Sequence, residues 1–173
     1  MSFAVWLTGL SGSGKSAIAR ELLSRLQARG LEPAVLESDV MRTQLTPRAS
    51  YSSAERDFFY AALAHLGAHV VARGRPVIFD ATANLRAYRD AARSSIARFA
   101  EVFVDTPLEV CAARDPKGLY RGARDGKSAA LPGVQAAYEP PSAPEVVVHG
   151  DRGTPAEAAA LIADWLAARG WLG

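Results

Sequence analysis

Residues 9–16 read Gly9-Leu10-Ser11-Gly12-Ser13-Gly14-Lys15-Ser16. This stretch fills every fixed position of the pattern G-x-x-x-x-G-K-[ST], in which a glycine-rich turn curls backbone N–H groups around phosphate oxygens. The flanking residues fit the same pattern, because Phe3 to Leu7 is an apolar run that predicts a strand, and Ser16 to Arg29 carries apolar residues at helical spacing. Strand, glycine turn and helix together predict a phosphate-binding P-loop.

The P-loop predicts a defined set of contacts with a nucleoside triphosphate. The helix N-terminus supplies the positive end of its dipole, Lys15 supplies a mobile charge for the β and γ phosphates, and Ser16 supplies a hydroxyl for Mg²⁺. We therefore expect ATP as ligand and Mg²⁺ as cofactor. The predicted ATP-binding residues of the loop are Gly9, Ser11, Gly12, Ser13, Gly14, Lys15, Ser16 and Ala17.

Composition indicates a single domain over residues 1–173. The chain is 49% hydrophobic with a mean hydropathy of +0.01, which is ordinary for a globular protein. Its formal net charge is +2 and its arginines are scattered among acidic residues, so composition gives no argument for a nucleic-acid partner. Cys111 is the single cysteine, and no segment of the sequence has the length of a membrane span. We expect a cytoplasmic protein with no membrane partner.

Strand patterns alternate with helix patterns along the rest of the chain. Further strands are predicted at residues 33–36, 76–79, 101–104 and 146–148, and further helices at residues 54–73, 85–98 and 155–169. This alternation predicts a doubly wound α/β fold, with a parallel five-stranded sheet and helices on both faces. Such sheets bind ligands at the carboxyl ends of their strands, so the polar residues that end the strands become candidates. They are Glu37, Asp39, Asp80 and Asp105.

The stretch from Asp115 to Pro144 is rich in glycine and proline and shows no regular period. A loop of that length in a compact domain is typical of a functional lid. We therefore predict a lid at about residues 115–144, whose cations would close over the phosphates and exclude water. The cations at its start are Arg114, Lys117, Arg121 and Arg124.

Two motifs at the start of this stretch resemble the adenylylsulfate kinase family. They read Phe103-Val104-Asp105-Thr106-Pro107-Leu108-Glu109-Val110-Cys111 and Arg114-Asp115-Pro116-Lys117-Gly118-Leu119-Tyr120. The resemblance includes the opening of the P-loop, continues to Tyr138-Glu139 and covers most of the chain. It implies a P-loop kinase fold and transfer of the γ-phosphate of ATP to the ribose 3′-hydroxyl of adenylylsulfate. It also implies that Arg114 lies against the ATP adenine.

The acceptor site is expected around the second strand and the long helix that follows it. Asp39 is the candidate that orients or deprotonates the acceptor hydroxyl, and the alternative for it is a solvated turn residue. Arg42, one helical turn further on, and Arg56 are candidate clamps for an anionic acceptor, the alternative for Arg56 being an exposed helix residue. Tyr51 offers a stacking face for an acceptor base or else anchors its loop. Lys117 completes this set from the lid.

The acceptor side departs from the family pattern at several positions. Phe59 stands where the family has an asparagine that helps to hold adenylylsulfate, so we expect an asparagine restored there to improve acceptor binding. Leu131 stands where a phenylalanine would face Tyr51 across the substrate adenine. Asp80-Ala81-Thr82-Ala83-Asn84 replaces a Phe-Ile-Ser-Pro run and is similar to a stretch of gluconate-kinase-like and polynucleotide-kinase-like kinases. That similarity makes Asp80 a metal-site candidate beside Ser16, the alternative being a cap or turn residue.

The leading hypothesis is an adenylylsulfate kinase of sulfate assimilation, which makes 3′-phosphoadenylylsulfate and ADP. Its predicted partners are small-molecule substrates. The sequence leaves a homodimer open. The first alternative is a kinase of the same build for another nucleotide-linked or anionic acceptor, such as a sugar nucleotide or a phosphoramidate. The second alternative is a non-catalytic nucleotide-binding regulatory module. The presence of Lys15, Ser16 and Asp39 argues against that module.

Overall fold

The computed structural model describes residues 2–127 and 130–172. Its centre is a parallel five-stranded sheet with the strand order β2-β3-β1-β4-β5. The strands are β1 Ala4–Thr8, β2 Ala34–Glu37, β3 Val77–Asp80, β4 Phe99–Asp105 and β5 Val146–His149. The first strand lies in the middle of the sheet, paired with β3 on one side and β4 on the other. The P-loop therefore begins at the centre of the carboxyl edge, and the predicted doubly wound sheet is confirmed.

The helices connect these strands and cover both faces of the sheet. They are α1 Lys15–Gln27, α2 Ser38–Leu45, α3 Ser53–Ala72, α4 Arg86–Ser95, α5 Leu108–Arg114, α6 Leu119–Arg124 and α7 Pro155–Ala168. The last of them begins with a capping box, in which Thr154 Oγ1 accepts from the N–H of Glu157 and the Glu157 side chain accepts from the N–H of Thr154. None of these helices in the described residues is long and apolar enough to cross a membrane.

Alternation along β1 divides the core into two layers. Val5 and Leu7 point to one face, where they pack with the apolar sides of α1 and α7. Trp6 points to the other face, where its ring stacks on Phe79 with the centroids 4.3 Å apart and the long helix α3 covers both. Burial on both faces holds the carboxyl edge of the sheet rigid, and that edge carries the polar residues of the site.

The expectation that residues 115–144 form one irregular loop is wrong over Leu119–Arg124, which form α6. This helix begins after Gly118, and the Asp115 carboxylate accepts hydrogen bonds from the N–H groups of Tyr120 at 3.0 Å and Arg121 at 2.9 Å. Six residues are too few to show an amphipathic period, so the sequence pattern could not reveal the helix. Residues 128 and 129 of the predicted lid lie outside the described residues.

Candidate active site

The P-loop turns from β1 into α1 through two glycines in a left-handed backbone conformation. Gly12 has φ 77° and Gly14 has φ 107°. A side chain at position 12 would also place its Cβ 2.9 Å from the Cys111 carbonyl oxygen, so glycine is needed there for space as well as for conformation. Since α1 begins at Lys15, the first N–H groups of the helix have no carbonyl in a preceding turn and are free to bind an anion.

Lys15 is a buried cation that is held by neutral groups. Its Nζ donates to the carbonyl oxygens of Gly9 at 2.9 Å and Leu10 at 2.8 Å. Burial lowers the pKa of Lys15 to about 8, nearby Asp80 opposes that shift, and Lys117 adds to it. A buried ammonium without a hydrogen-bonded carboxylate favours an incoming anion such as a phosphate.

Ser16 and Asp80 meet beside this lysine. Ser16 Oγ donates to Asp80 Oδ2 over 2.5 Å, and Asp80 ends β3 directly beside Leu7 of β1. A hydroxyl and a carboxylate are oxygen donors of the kind that Mg²⁺ prefers. Within the described residues there is no cluster of three or more His, Cys, Asp or Glu side chains that could hold a metal alone. The pair fits a metal ion that is held jointly with the phosphates of a nucleotide.

The back of the P-loop is fixed by residues that the sequence pattern did not reveal. Thr106 Oγ1 donates to the Ser13 carbonyl over 2.9 Å, and a Cβ at Gly150 would lie only 1.8 Å from the same oxygen. The N–H of Ser13 donates to the Leu10 carbonyl. Ser13 and Gly9, both predicted ATP-binding residues, are buried behind the loop and do not line the cavity in front of it. They shape the loop from behind.

Arg114 lies at the same end of the loop. Its Nη1 donates to the Gly12 carbonyl at 3.3 Å and its Nη2 to the Gly150 carbonyl at 2.7 Å. The arginine thus joins the P-loop to the loop after β5, and its guanidinium borders the nucleotide end of the site. Contact with an adenine at this place stays a prediction.

One cavity of about 540 Å³ opens at the carboxyl edge of the sheet and brings most of the predicted residues together, but not Asp105, Arg121 or Arg124. The predicted residues that line it are Ser11, Gly12, Gly14, Lys15, Ser16, Ala17, Asp39, Arg42, Tyr51, Arg56, Asp80, Arg114, Lys117 and Leu131. The lining also includes Arg20, Glu37, Ser38, Tyr60, Thr82, Pro116, Leu119, Ala130 and Pro132. The P-loop therefore forms one end of a continuous space, and α2, α3 and residue 131 form the other.

Asp39 and Lys117 face each other at the cavity mouth. They form an ion pair between the start of α2 and the segment before α6, and both side chains are about half exposed. Such an exposed pair adds little stability. The pair holds the predicted lid against Asp39, whose predicted role is to orient or deprotonate the acceptor hydroxyl.

Arg42 lines the end of the cavity that α2 and α3 form. Its guanidinium contacts two aromatic rings, with Cζ 4.7 Å from the centroid of Tyr51 and 4.0 Å from that of Phe59. Nη1 donates to Glu55 Oε1 at 3.1 Å. The residue is buried, so it is a fixed cation on the cavity wall.

Arg56 is buried, so the alternative of an exposed helix residue is wrong. Its Nε donates to the Tyr51 carbonyl at 3.1 Å, its Nη1 to Asn84 Oδ1 at 3.2 Å and its Nη2 to the Ala130 carbonyl. The guanidinium therefore ties the Tyr51 loop, the end of β3 and the predicted lid together. Tyr51 itself has φ 55°, a conformation that is rare for a residue with a side chain and that these contacts maintain.

Leu131 is buried at the lid side of the cavity. It clusters with Cys111 and Tyr120, and Leu10 of the P-loop packs against them. Tyr120 Oη donates to the Ser11 carbonyl over 2.7 Å, so this cluster fastens the lid segment to the P-loop. Leu131 and Tyr51 line the same cavity, and their contact with an adenine stays a prediction.

Comparison with known proteins matches this arrangement to one family. The sequence model described as adenylylsulphate kinase matches residues 1–149, most of the chain. This chain belongs to the adenylylsulfate kinase family. It is 39% identical over 168 residues to the adenylyl-sulfate kinase of Synechococcus sp. (strain JA-3-3Ab), covering 97% of this chain and 96% of that protein. It is 38% identical over 152 residues to the probable adenylyl-sulfate kinase of Archaeoglobus fulgidus, covering 88% and 98%.

A solved structure supports the same membership. The Mycobacterium tuberculosis APS kinase CysC in complex with AMPPNP and APS superposes with a TM-score of 0.90 at 36% identity, covering 96% of this chain and 98% of that one. The resemblance of the sequence to adenylylsulfate kinases and the P-loop kinase fold are confirmed. An adenylylsulfate kinase of this build is a phosphotransferase, so the chain falls among the ATP-using kinases.

The end of the cavity away from the P-loop is held together by residues that the sequence patterns did not reveal. Asn84 Nδ2 donates to the Ala137 carbonyl at 3.0 Å, and the N–H of Glu139 donates to the Asn84 carbonyl at 2.7 Å. Glu55 holds both Arg42 and the N–H of Tyr51. The one sequence signal for Glu55 was its position three residues after Ser52, the N-cap of α3.

Proposed function

We propose that this chain is an adenylylsulfate kinase, which transfers the γ-phosphoryl group of ATP to the 3′-hydroxyl of adenylylsulfate and releases ADP and 3′-phosphoadenylylsulfate. The observation that carries the proposal is the continuous cavity with a P-loop lysine at one end and, at the other, a buried arginine in contact with two aromatic rings. Family membership and the likeness to a kinase structure that contains AMPPNP and APS support it.

On the donor side, the protein acts by positioning and neutralising charge. The free N–H groups at the start of α1 and the Lys15 ammonium hold the β and γ phosphates. Ser16 and Asp80 would hold Mg²⁺ there, and when bound its charge further neutralises the triphosphate. Arg114 borders the adenine end, joined to the P-loop by its hydrogen bond to Gly12.

On the acceptor side, Asp39 stands at the cavity mouth with a carboxylate that can accept the proton of the attacking hydroxyl. Arg42 binds the anionic group of the acceptor, and Tyr51 and Leu131 contact its adenine. Lys117 leaves Asp39 when the phosphates provide it with stronger anionic partners, and the predicted lid then closes over them.

The direct test follows ADP release with Mg-ATP and separate acceptors, with mass spectrometry of each product. The panel contains adenylylsulfate, AMP, a sugar nucleotide and gluconate. Lys15→Ala is the control variant, which should bind ATP weakly and transfer its γ-phosphoryl group slowly while remaining folded. Adenylylsulfate-dependent ADP release with a product heavier by one phosphoryl group is the expected result. A folded Lys15→Ala protein with wild-type turnover would contradict the kinase assignment.

A second candidate function is a kinase for a different anionic acceptor, because Phe59 and Leu131 replace two acceptor-side residues of the family pattern. Turnover with another panel member, and none with adenylylsulfate, would favour it. Nucleotide binding without any ADP release would instead favour a regulatory module. The homodimer and the cytoplasmic location stay predictions.

A further inference from the structure

Phe59 lies under the arginine that faces the acceptor. The ring is fully buried on α3, and the Arg42 guanidinium carbon lies 4.0 Å from its centroid. The Tyr51 ring also contacts this guanidinium, with its centroid 4.7 Å from Cζ. Contact with two rings restrains a planar cation, and a desolvated cation–π contact is stronger than an exposed one.

Hydrogen bonds also hold the guanidinium. Arg42 Nη1 donates to Glu55 and, over a longer distance, to Thr46, and the Arg42 side chain is hydrogen-bonded to Tyr60 as well. Glu55 is in turn held by the Ser50 N–H at 2.5 Å and the Ser50 hydroxyl at 2.8 Å, which keep its pKa below the ordinary value and its carboxylate charged. Arg42 also lines the cavity, so a guanidinium held in this way can meet an anion there.

We propose that Phe59 is a positioning residue for the acceptor, whose ring holds the Arg42 guanidinium where it meets the anionic group of the acceptor. This inference rests on the proposed function, because it takes the acceptor to be an anion bound at Arg42. In this chain, aromatic support of one arginine takes the place of the amide that the family pattern puts at position 59.

The structure also reverses the expectation that an asparagine at position 59 would improve acceptor binding. Phe59 packs edge-on against Tyr60, with centroids 5.2 Å apart, in an apolar layer that includes Leu63. A shorter amide there would leave part of this apolar layer unfilled, and Arg42 would lose the ring that lies 4.0 Å from it. We expect Phe59→Asn to weaken acceptor binding.

The kinetic test compares Phe59→Leu with Phe58→Leu, the same change at the adjacent, 60% exposed position of the same helix. Phe59→Leu should raise the KM for adenylylsulfate about 10-fold and change the KM for ATP less than about twofold, because the ring supports only the acceptor-side cation. Phe58→Leu should change neither. Equal rises of both KM values, or no rise beyond the Phe58→Leu control, would overturn the proposal. If Phe59→Leu fails to fold, Phe59→Met, which fills more of the space left by the ring, replaces it, and the same changes in the two KM values are expected.

A double-mutant cycle shows whether the ring acts through Arg42. Lysine keeps the charge at position 42 but has no plane to stack, so Arg42→Lys alone should raise the KM for the acceptor. In that background, Phe59→Leu should add less than about twofold, since the stacking it removes is already lost. The same 10-fold rise in both backgrounds would show that the ring acts elsewhere and would overturn the proposal.

A spectroscopic measurement separates this inference from the identity of the acceptor. A proton above an aromatic face is shifted upfield, so the Arg42 Nε–H resonance, assigned by its loss in Arg42→Lys, should move downfield in Phe59→Leu and stay in place in Phe58→Leu. Titration with inorganic sulfate should shift this resonance at lower concentration in wild type than in Phe59→Leu. If adenylylsulfate is not a substrate but these shifts occur, the proposed function fails and the role of Phe59 stands. An unchanged resonance in Phe59→Leu would overturn that role whatever the substrate.

Discussion

Ser16 Oγ and Asp80 Oδ2 lie 2.5 Å apart, joined by a hydrogen bond between the first turn of α1 and the last residue of β3. The contact exists because β3 is the direct neighbour of β1, so that Leu7 and Asp80 are register partners. It brings a buried carboxylate into the charge environment of Lys15. The end of β3 therefore lies beside the P-loop lysine and also lines the cavity that the P-loop shares with α2 and α3.

Replacing Asp80 by asparagine tests its role in holding the metal. The amide can still bond to Ser16, but the negative charge is lost, so the Mg²⁺ concentration for half-maximal activity should rise about 10- to 100-fold. The measurement is initial rate against Mg²⁺ at saturating ATP. Asp105→Asn is the control, because Asp105 ends β4, is about half exposed and pairs with His149. A lower melting temperature with an unchanged Mg²⁺ requirement would make Asp80 a structural residue.

The pKa of Lys15 predicts a pH dependence of ATP binding. Burial lowers this pKa to about 8, so at pH 8.5 most of the folded protein carries a neutral Lys15. A bound triphosphate favours the ammonium form, so binding at this pH should take up as much as about 0.7 proton at Lys15, and affinity should fall as pH rises through 8. Calorimetry in two buffers with different ionisation enthalpies measures this uptake. Lys15→Met has no titrating group there, and an identical uptake in that variant would contradict the assignment.

The same pKa predicts how stability changes with pH. The folded pKa lies below the ordinary lysine value of 10.5, so between pH 8 and 10.5 the unfolded chain binds more protons at this residue than the folded protein does. The contribution of Lys15 to the free energy of unfolding should therefore rise with pH across that window. Below pH 8 the buried charge costs stability, and Lys15→Met should melt at a higher temperature than wild type. The difference should shrink above pH 10, and a constant difference would contradict this account.

The sequence predicted the donor side of the site more completely than the acceptor side, for a physical reason. A P-loop is a local motif, in which eight adjacent residues create the backbone geometry that binds phosphate, and strand alternation places its neighbours. The setting of Arg42 depends on Tyr51, Glu55 and Phe59, which come together only when α2, the following loop and α3 pack. Thr106 contacts Ser13 across 93 positions of the chain, a distance that no periodic pattern covers. From the sequence, Phe59 indicates only the loss of an acceptor-binding asparagine. The sequence does not show that the Phe59 ring contacts the Arg42 guanidinium.

Thr106 offers a test of how the P-loop is held from behind. Thr106→Val keeps the shape but removes the hydroxyl from the buried Ser13 carbonyl, and an unpaired buried group of this kind costs about 1–3 kcal/mol. We expect the KM for ATP to rise about 10-fold and the KM for the acceptor to stay unchanged, because only the loop is affected. Thr106→Ser retains the hydroxyl and should behave like wild type. Equal effects of valine and serine would show that the methyl group matters and the hydrogen bond does not.

Hydrogen exchange tests the predicted lid. Residues 115–127 and 130–144 carry few buried apolar side chains, and their cations gain phosphate partners only when ligands bind, so their amides should be protected more strongly with Mg-ADP and acceptor than without them. Amides of β1 should be protected equally in both states and serve as the internal reference. Tyr120→Phe, which removes the bond to the Ser11 carbonyl, should reduce the ligand-dependent gain. Equal protection in the free and bound protein would refute a lid.

The ion pair between Asp39 and Lys117 leaves two roles open for Asp39. Asp39 pairs with Lys117 at the cavity mouth, so its carboxylate can serve as the proton acceptor for the acceptor hydroxyl or simply as an anchor for the lid. Asp39→Asn keeps the shape and removes the basicity, and we expect kcat to fall about 100-fold or more with ATP affinity nearly unchanged. Lys117→Gln breaks the same ion pair from the other side and leaves the base, so its effect should be mainly on KM. Equal losses of kcat in both variants would assign the pair an anchoring role, and a collapse of ATP affinity in Asp39→Asn would instead place Asp39 at the metal.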